Sequence, residues 1–201
     1  MIHLNGNLLC AIDIETTGLD PDKHEIYEIS IIPLNGQYDV NPKYMPFDIL
    51  LKPEKTDNID WEGMRKTGNA DRVVESRLKG FDQFDAADAL VDWKDRLKLP
   101  EKKRIVPLAH NWGGLDKAFI LKWLGPLTFD QVFHFHYRDT MATALFLNDR
   151  ADLSNEQIPF PKVNLTYLIS QLKLDVQGRS HCAADDAMNT ARVYKQLLTQ
   201  L

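Results

Sequence analysis

Hydrophobic and polar residues alternate along three short runs in the first quarter of the chain. The runs lie at residues 8–15, 27–34 and 47–52, and Pro21 and Gly36 mark turns between them. Each run has the length of a strand and is rich in Ile and Leu. The pattern therefore predicts three consecutive strands, which form an antiparallel meander when each strand pairs with the next.

The rest of the chain alternates between helical and strand patterns. Apolar residues recur at helical spacing in five segments, at residues 84–97, 115–124, 141–147, 164–172 and 183–198. Short apolar runs at 105–109 and 132–137 predict two further strands. This order predicts an α/β fold with a central mixed five-stranded sheet flanked by helices, in a single domain over residues 1–201.

Two breaks interrupt this pattern. Gly125 and Pro126 predict that the helix at 115–124 ends there, because neither residue favours a helix interior. Residues 148–162 are polar and contain proline, so we expect a surface loop of about 15 residues, long enough to cover a site.

The composition is ordinary for a globular protein, with 44% hydrophobic and 26% charged residues. No apolar run approaches the roughly 18 residues of a membrane span, and the N-terminus lacks the pattern of a signal peptide. We therefore expect a cytoplasmic protein without a membrane partner, in which Cys10 and Cys182 are small core residues. A net charge of −5 argues against coating duplex DNA, but permits a nucleic-acid enzyme that binds metal ions.

Two carboxylates stand at the end of the first predicted strand. Side chains alternate along a strand, so Asp13 and Glu15 share a face with Leu9 and Ala11, about 6.5–7 Å apart at their Cα atoms. Two anions at the end of a buried strand repel each other and lose solvation, and a divalent cation removes both costs. The pair predicts a metal site, and the alternative is two solvated residues at a strand edge.

Further acids and a histidine occur at the starts of two predicted helices. Asp116 follows the strand at 105–109 through a polar turn, where it fits either a metal ligand or a helix-capping residue. His181 and Asp186 are five residues apart, which separates two side chains by about 140° on a continuous helix. They can converge only if His181 lies before the helix, so we expect the helix to begin after Ser180 or His181.

These stretches resemble, in order and spacing, the motifs of the DEDDh family of 3′–5′ exonucleases. The first motif is similar to DIETTGL at residues 13–19, and the second to AHN followed by Asp116. The third is similar to His181 and Asp186 within HCAADDA. One such motif is weak by itself, whereas three in order over residues 8–198 are specific.

The resemblance implies a ribonuclease H-like fold and a 3′–5′ exonuclease that hydrolyses phosphodiester bonds and releases nucleoside 5′-monophosphates. It also implies two divalent ions, Mg²⁺ with Mn²⁺ as a substitute, which clamp the attacking and leaving oxygens. His181 would be the general base, since an imidazole accepts a proton near neutral pH. The implied metal ligands and catalytic acids are Asp13, Glu15, Asp116 and Asp186, and the implied substrate contacts are Thr16, Thr17, Leu19 and Asn111.

One departure from the family pattern concerns the second motif. Asp116 follows Asn111 by five positions where four is usual, and Leu115 stands where an aromatic residue is common. We expect Gly113 and Gly114 to absorb the extra residue in a wider turn, because glycine adopts backbone conformations that other residues avoid.

We expect single-stranded or 3′-tailed nucleic acid as the substrate, with a polymerase or a second copy of the chain as a candidate partner. Two alternatives stay open. One is a catalytically weak or inactive protein of this fold that binds nucleic acid or a polymerase, and the other is a metal phosphoesterase acting on nucleotides or small oligonucleotides. The sequence shows no reader of the 2′-hydroxyl, so it does not choose between DNA and RNA.

Several residues beside the motifs have two interpretations. Trp112 could stack on a base or pack in the core. We interpret His134 and His136 as surface residues of a strand rather than as a second metal site. The basic run at residues 102–104 fits a solvated edge better than a patch that binds the nucleic-acid backbone, and Asp139 is predicted to cap the next helix.

Overall fold

The computed structural model of the protein describes residues 4–175 and 181–200. The strands are β1 (Leu8–Thr16), β2 (Ile26–Pro33), β3 (Phe47–Leu50), β4 (Ile105–Ala109) and β5 (Arg138–Asp139). The helices are α1 (Trp61–Thr67), α2 (Ala70–Lys79), α3 (Gln83–Arg96), α4 (Asp116–Val132), α5 (Thr140–Leu153), α6 (Leu165–Gln171) and α7 (Ala183–Leu197). The predicted α/β fold with a mixed five-stranded sheet is confirmed.

The five strands form one sheet in the order β3-β2-β1-β4-β5. The first three strands pair antiparallel as the predicted meander, whereas β4 is parallel to β1 and β5 is parallel to β4. Parallel neighbours need a crossover, and α1, α2 and α3 precede β4 while α4 precedes β5. The carboxyl ends of β1, β4 and β5 consequently lie at the same edge of the sheet.

Strand β1 contributes side chains to a core on each face of the sheet. Ile12 and Ile14 pack in the core that includes residues of α3 and α4, whereas Leu9 packs against residues of α7. The alternation places Asp13 and Glu15 on the α7 face, as the two-residue period predicts. Both carboxylates therefore lie where β1 leaves the core beneath α7.

The strand predicted at residues 132–137 is wrong. Helix α4 extends into this segment, and β5 begins only at Arg138. Between them, an isolated bridge joins Phe133 to Ile105 of β4. The aromatic and histidine residues imitate a strand pattern, but Phe135 is 73% exposed, so burial does not hold the whole segment against the sheet.

The helix predicted at residues 115–124 begins at Asp116, and its predicted end at Gly125 and Pro126 is confirmed by the backbone. Gly125 has φ +70° and ψ 161°, a backbone conformation that glycine adopts without strain, and it kinks α4. Pro126 follows at the start of the second half of the helix, where its missing N–H costs little. The glycine therefore ends the first helical segment of α4, and a second segment follows it and ends at Val132.

The polar loop predicted at residues 148–162 is shorter, because α5 continues to Leu153. The side chain of Asn148 donates to the carbonyl of Phe160 at 2.8 Å and accepts from its N–H at 2.9 Å. Phe160 is buried in a core cluster with residues of α5, α6 and α7. The segment after α5 is therefore tied to the core at its middle.

The two cysteines differ in their surroundings. Cys10 is buried, as predicted, whereas Cys182 is half-buried before α7. The Cys182 thiol donates to Glu28 Oε1 at 3.7 Å, so its neighbour is a carboxylate rather than an apolar core. Within the described residues, none of the helices combines the length and the apolarity needed to cross a bilayer.

Candidate active site

Four acidic side chains come together where β1 ends. Asp13 and Glu15 are half-buried in β1, and Asp116 is the first residue of α4 and only 4% exposed. Asp186 lies in the first turn of α7. These are the four residues that the sequence predicts as metal ligands, and the charges of the other three all act on Asp13.

The turn between β4 and α4 accommodates the extra residue of the second motif. Asn111 has φ +65°, and its carbonyl accepts the backbone N–H of Gly114 at 3.0 Å. The backbone N–H groups of Asn111 and Trp112 donate to the carboxylate of Asp139 at 3.1 and 2.8 Å. A wider turn with defined hydrogen bonds therefore leads into α4, which begins at Asp116.

The two glycines of this turn have a different role from the predicted one. The left-handed residue is Asn111, and neither Gly113 nor Gly114 has a positive φ. A Cβ at Gly114 would collide with the side-chain amide of Asn111, whereas one at Gly113 would meet only the Tyr137 hydroxyl, at 3.6 Å. Gly114 therefore supplies space rather than backbone freedom.

The third motif converges as the helical spacing requires. Helix α7 begins at Ala183, and His181 precedes it with φ +61°, while Ser180 lies outside the described residues. The backbone N–H of His181 donates to Asp186 Oδ2 at 2.9 Å, which folds the segment back over the first turn of the helix. His181 is exposed and Asp186 is half-buried. A contact between His181 and Asp186 was predicted only if the helix begins after His181, and α7 begins at Ala183.

Burial and mutual repulsion raise the pKa values of the clustered acids. Burial first, and then the charges of Asp186 and Glu28, raise the pKa of Glu15 to about 8. Burial likewise raises the pKa of Asp116 to about 8, although backbone N–H groups that include that of Ile14 lower it in part. The pKa of Asp13 is raised well above its ordinary range by burial and then by the charge of Asp116.

This donor set fits hard divalent cations. Ligand atoms of Glu15, His181 and Asp186 all lie within 4.8 Å of one another, so this group could hold a metal ion. Asp13 and Asp116 add carboxylate oxygens, the donors that Mg²⁺ and Mn²⁺ accept. A cation would also remove the repulsion that raises the acid pKa values. His181 is predicted from the sequence only as a base, and the structure adds its ring nitrogen to the candidate ligand atoms.

Two residues that the sequence analysis missed hold the carboxylate of Glu15. Asn69 Nδ2 and the Tyr27 hydroxyl donate to Glu15 Oε2 at 3.1 and 3.4 Å. Asn69 stands at the N-terminus of α2, and its side chain makes no capping bond there. The bond to Glu15 replaces the usual capping role of an asparagine at that position.

A fifth carboxylate, Glu28, was also missed. Glu28 is directly opposite Glu15 in the β1–β2 ladder, and Ser30 is opposite Asp13. Arg72 of α2 binds both oxygens of Glu28, at 2.9 and 3.0 Å. The signal was present in the sequence, because Glu28 and Ser30 alternate with apolar residues in an otherwise apolar strand.

The predicted substrate residues occupy different environments. Thr17 is 1% exposed and its hydroxyl accepts the N–H of Glu25 at 3.0 Å, and the Thr16 hydroxyl donates to the carbonyl of Gly18 at 2.7 Å. These threonines shape the turn after β1. Leu19 is 79% exposed just beyond the turn, and Asn111 is half-buried in the turn after β4.

Trp112 does not stack on a base, because it is buried against Phe129 and Phe133, with ring centroids 6.5 and 6.0 Å away.

His134 and His136 are not in a strand. They contact the ring of Phe135 outside the acidic cluster.

The basic run at residues 102–104 is half-buried to exposed, in the turn before β4. Asp139 caps α5, as predicted, by accepting the N–H groups of Met141 and Ala142.

A meander followed by two parallel strands, with acids from β1, α4 and α7 converging beside a histidine, defines a ribonuclease H-like fold with a candidate metal site. The nuclease domain of 3′hExo, a DEDDh family member, bound to rAMP, has a TM-score of 0.67 at 21% identity, covering 96% of this chain and 92% of that one. Exonuclease I of E. coli in complex with a dT13 oligonucleotide has a TM-score of 0.66 at 18% identity, covering 96% of this chain and 41% of that one.

The family model described as Exonuclease (RNase_T) matches residues 10–194, and the chain belongs to this family. It is a 3′–5′ exonuclease of the DEDDh type, as the resemblance implied. The chain is also similar to the oligoribonuclease of Aliivibrio fischeri, at 29% identity over 68% of this chain and 72% of the relative. The oligoribonuclease of Neisseria meningitidis is 28% identical over 69% and 71% of the two chains.

Proposed function

We propose that this exonuclease is metal-dependent and removes nucleoside 5′-monophosphates from the 3′ end of single-stranded or frayed nucleic acid, with His181 as its general base. The observation that carries the proposal is the convergence of Asp13, Glu15, Asp116 and Asp186 beside His181. A protein that only binds nucleic acid needs no such set, because buried acids repel a polyanion unless cations are bound.

The four acids are the proposed ligands of two divalent ions, with Mg²⁺ as the expected metal and Mn²⁺ as a substitute. When bound, such ions neutralise the acids and stabilise the charge that develops on phosphate oxygens. The chain supports the ligands in turn, since Asn69 and Tyr27 donate to Glu15 and the N–H of His181 donates to Asp186. These bonds orient carboxylate oxygens toward the cluster.

His181 is suited to accept a proton from an attacking water. Its side chain is exposed, and one ring nitrogen lies within 4.8 Å of carboxylate oxygens of Glu15 and Asp186. The left-handed backbone of His181 and its N–H bond to Asp186 fix the position of the residue's Cα, from which the imidazole side chain extends. An imidazole at this position can take the proton of a water bound in the cluster.

Thr16, Thr17, Leu19 and Asn111 are the proposed contacts to the 3′-terminal nucleotide. Leu19 offers an exposed apolar surface beside the turn after β1, which suits contact with a base. The two threonine hydroxyls are bonded within the turn, so they would act through their backbone groups or by holding the turn.

The names of the relatives bear on the length of the substrate and on whether its sugar is ribose or deoxyribose. Two of them are named oligoribonucleases, which favours short RNA as the substrate class of this chain. A DNA oligonucleotide is bound in the exonuclease I complex of the same fold, so DNA stays an alternative. Three statements stay predictions: the cytoplasmic location, the single domain over residues 1–201, and a polymerase or a second copy of the chain as partner.

The test is to incubate 3′-tailed and blunt oligonucleotides, as DNA and as RNA and in short and long forms, with the protein and Mg²⁺ or Mn²⁺. Asp13→Ala and His181→Ala are compared with Asp149→Ala and His136→Ala, which remove an exposed acid and an exposed histidine elsewhere. Shortening from the 3′ end that is lost only in the first two variants supports the proposal. No shortening by the wild type with either metal refutes it and favours the inactive binding protein.

A further inference from the structure

The charged pair Glu28–Arg72 lies beside the acidic cluster and contributes none of the proposed metal ligands. Glu28 is 1% exposed and stands directly opposite Glu15 on β2. Arg72 donates through Nε to Glu28 Oε2 at 2.9 Å and through Nη2 to Oε1 at 3.0 Å. A bidentate bond to a buried carboxylate fixes the position and the orientation of both groups.

The pair connects β2 to the two helix starts that complete the site. On one side, Arg72 lies one helical turn after Asn69, whose side chain holds Glu15 at 3.1 Å. On the other side, the carboxylate of Glu28 accepts the thiol of Cys182 at 3.7 Å, and Cys182 directly follows His181. Glu28 therefore touches the element that orients Glu15 and the element that presents His181.

The surroundings of Arg72 do not suit direct binding of a substrate phosphate. A cavity of about 300 Å³ lies between α2 and the start of α7, and its lining includes Arg72, Asp71, Glu75, His181 and Cys182. Arg72 Nη1 also donates to Glu75 Oε2 at 3.0 Å. Two carboxylates already share the single positive charge of Arg72, so the cavity offers no net attraction for a phosphate.

We propose that Arg72 is a positioning residue, which acts through Glu28 to hold Asn69 and the His181–Cys182 segment in register with the metal site. This inference rests on the proposed function for its kinetic readout. Arg72 also satisfies a fifth carboxylate that faces Glu15. Without Arg72, Glu28 would be a buried carboxylate without a counter-charge, adjacent to the proposed ligands.

The expected result of breaking the pair is a loss in turnover and in metal affinity rather than in substrate affinity. Groups that support metal ligands typically contribute about 10- to 100-fold to activity or metal affinity. We expect Arg72→Met and Glu28→Gln each to lower kcat by about 10-fold or more and to raise the half-saturating Mn²⁺ concentration, with KM nearly unchanged. Arg72→Lys should restore part of the loss, since it keeps the charge but forms no bidentate bond.

The experiment is a double-mutant cycle with Arg72→Met, Glu28→Gln and the combined variant, assayed well below each Tm with Mn²⁺ titrations. Arg77→Met is the matched control, because Arg77 is an exposed arginine on the same helix. A combined variant no worse than the worse single variant supports the proposal, because both changes then break one unit. The rise in Tm on adding Mn²⁺ without substrate gives a second readout that does not need activity.

Three results would overturn the proposal. A raised KM in Arg72→Met with an unaffected Glu28→Gln would make Arg72 a substrate contact. A lower Tm with unchanged kcat and metal dependence would leave the pair a purely structural role. If the wild type shortens no oligonucleotide, the proposed function is refuted, but the positioning role is still testable by Tm. In that case an equal Mn²⁺-induced rise in Tm for the wild type and for Arg72→Met refutes the positioning role.

Discussion

The carboxylate of Asp139 accepts the backbone N–H of Trp112 at 2.8 Å, and this bond joins the start of α5 to the turn after β4. The same side chain accepts the N–H of Asn111 and caps α5 through Met141. One carboxylate at the end of β5 therefore fixes the turn that leads to Asp116.

This arrangement predicts that Asp139→Asn lowers both stability and activity. An amide has one acceptor oxygen where the carboxylate has two, so a part-buried backbone N–H at Asn111 or Trp112 would face a donor. We expect the free energy of unfolding to fall by about 1–3 kcal/mol, and activity to fall because the turn no longer holds Asp116. Urea unfolding and the nuclease assay measure the two effects. Asp149→Asn, at an exposed position of α5, is the control, and equal behaviour of the two variants would contradict this role.

The two glycines of the turn should respond differently to the same substitution. Gly114→Ala places a methyl group against the side-chain amide of Asn111, whereas Gly113→Ala meets only the Tyr137 hydroxyl, at 3.6 Å. Because small displacements in an active site are costly, we expect Gly114→Ala to lower kcat by about 10- to 100-fold. Gly113→Ala should stay near wild type. A turn that tolerates both substitutions would show that Asn111 can move without consequence.

Metal-free protein should lose stability as the pH rises, and Glu15 should account for part of the loss. The pKa of Glu15 is raised from 4.5 to about 8 in the folded state, so folding favours its protonated form. That contribution is complete below about pH 4.5 and disappears as the pH rises through about 8. The Glu15→Gln substitution removes this pH-dependent contribution. In EDTA, the free energy of unfolding of Glu15→Gln should therefore fall less steeply with rising pH than that of the wild type.

Chemical unfolding in EDTA between about pH 5 and about pH 9 measures this difference. Glu101→Gln, at an exposed position, should show the wild-type slope. Addition of Mg²⁺ should reduce the loss in the wild type, because a bound cation offsets the repulsion among the acids. Parallel pH profiles for the wild type and Glu15→Gln would mean that burial does not perturb this carboxylate.

Leu19 should affect substrate binding without affecting folding. It is 79% exposed, so Leu19→Ala should change stability by less than about 0.5 kcal/mol. If its side chain contacts the terminal base, loss of that apolar contact should raise KM by about 10-fold at unchanged Tm. Leu127→Ala, at an 88% exposed position of α4, should leave KM unchanged. A KM that does not respond to Leu19→Ala would remove this residue from the proposed pocket.

The sequence by itself determined the framework of the fold, because strand and helix periodicity depend on which faces are buried. The meander of three strands and the placement of Asp13 and Glu15 on one face were both predicted from the pattern of the chain. The position of His181 ahead of α7 also followed, since five residues on a continuous helix cannot bring it to Asp186.

Tertiary structure decided the features that depend on contacts between distant residues. The segment at 132–137 has a strand-like pattern, but only Val132 and Phe133 are buried in it. A second helical segment of α4 follows Gly125, and the local pattern did not predict it.

The local sequence pattern likewise did not predict which side chains bind the carboxylates of the site. Asn69 reaches Glu15 across 54 positions and Arg72 reaches Glu28 across 44. No period in the sequence encodes such pairings. They arise because a buried carboxylate must find a donor or a counter-charge, and only the packed fold determines which side chain is within reach.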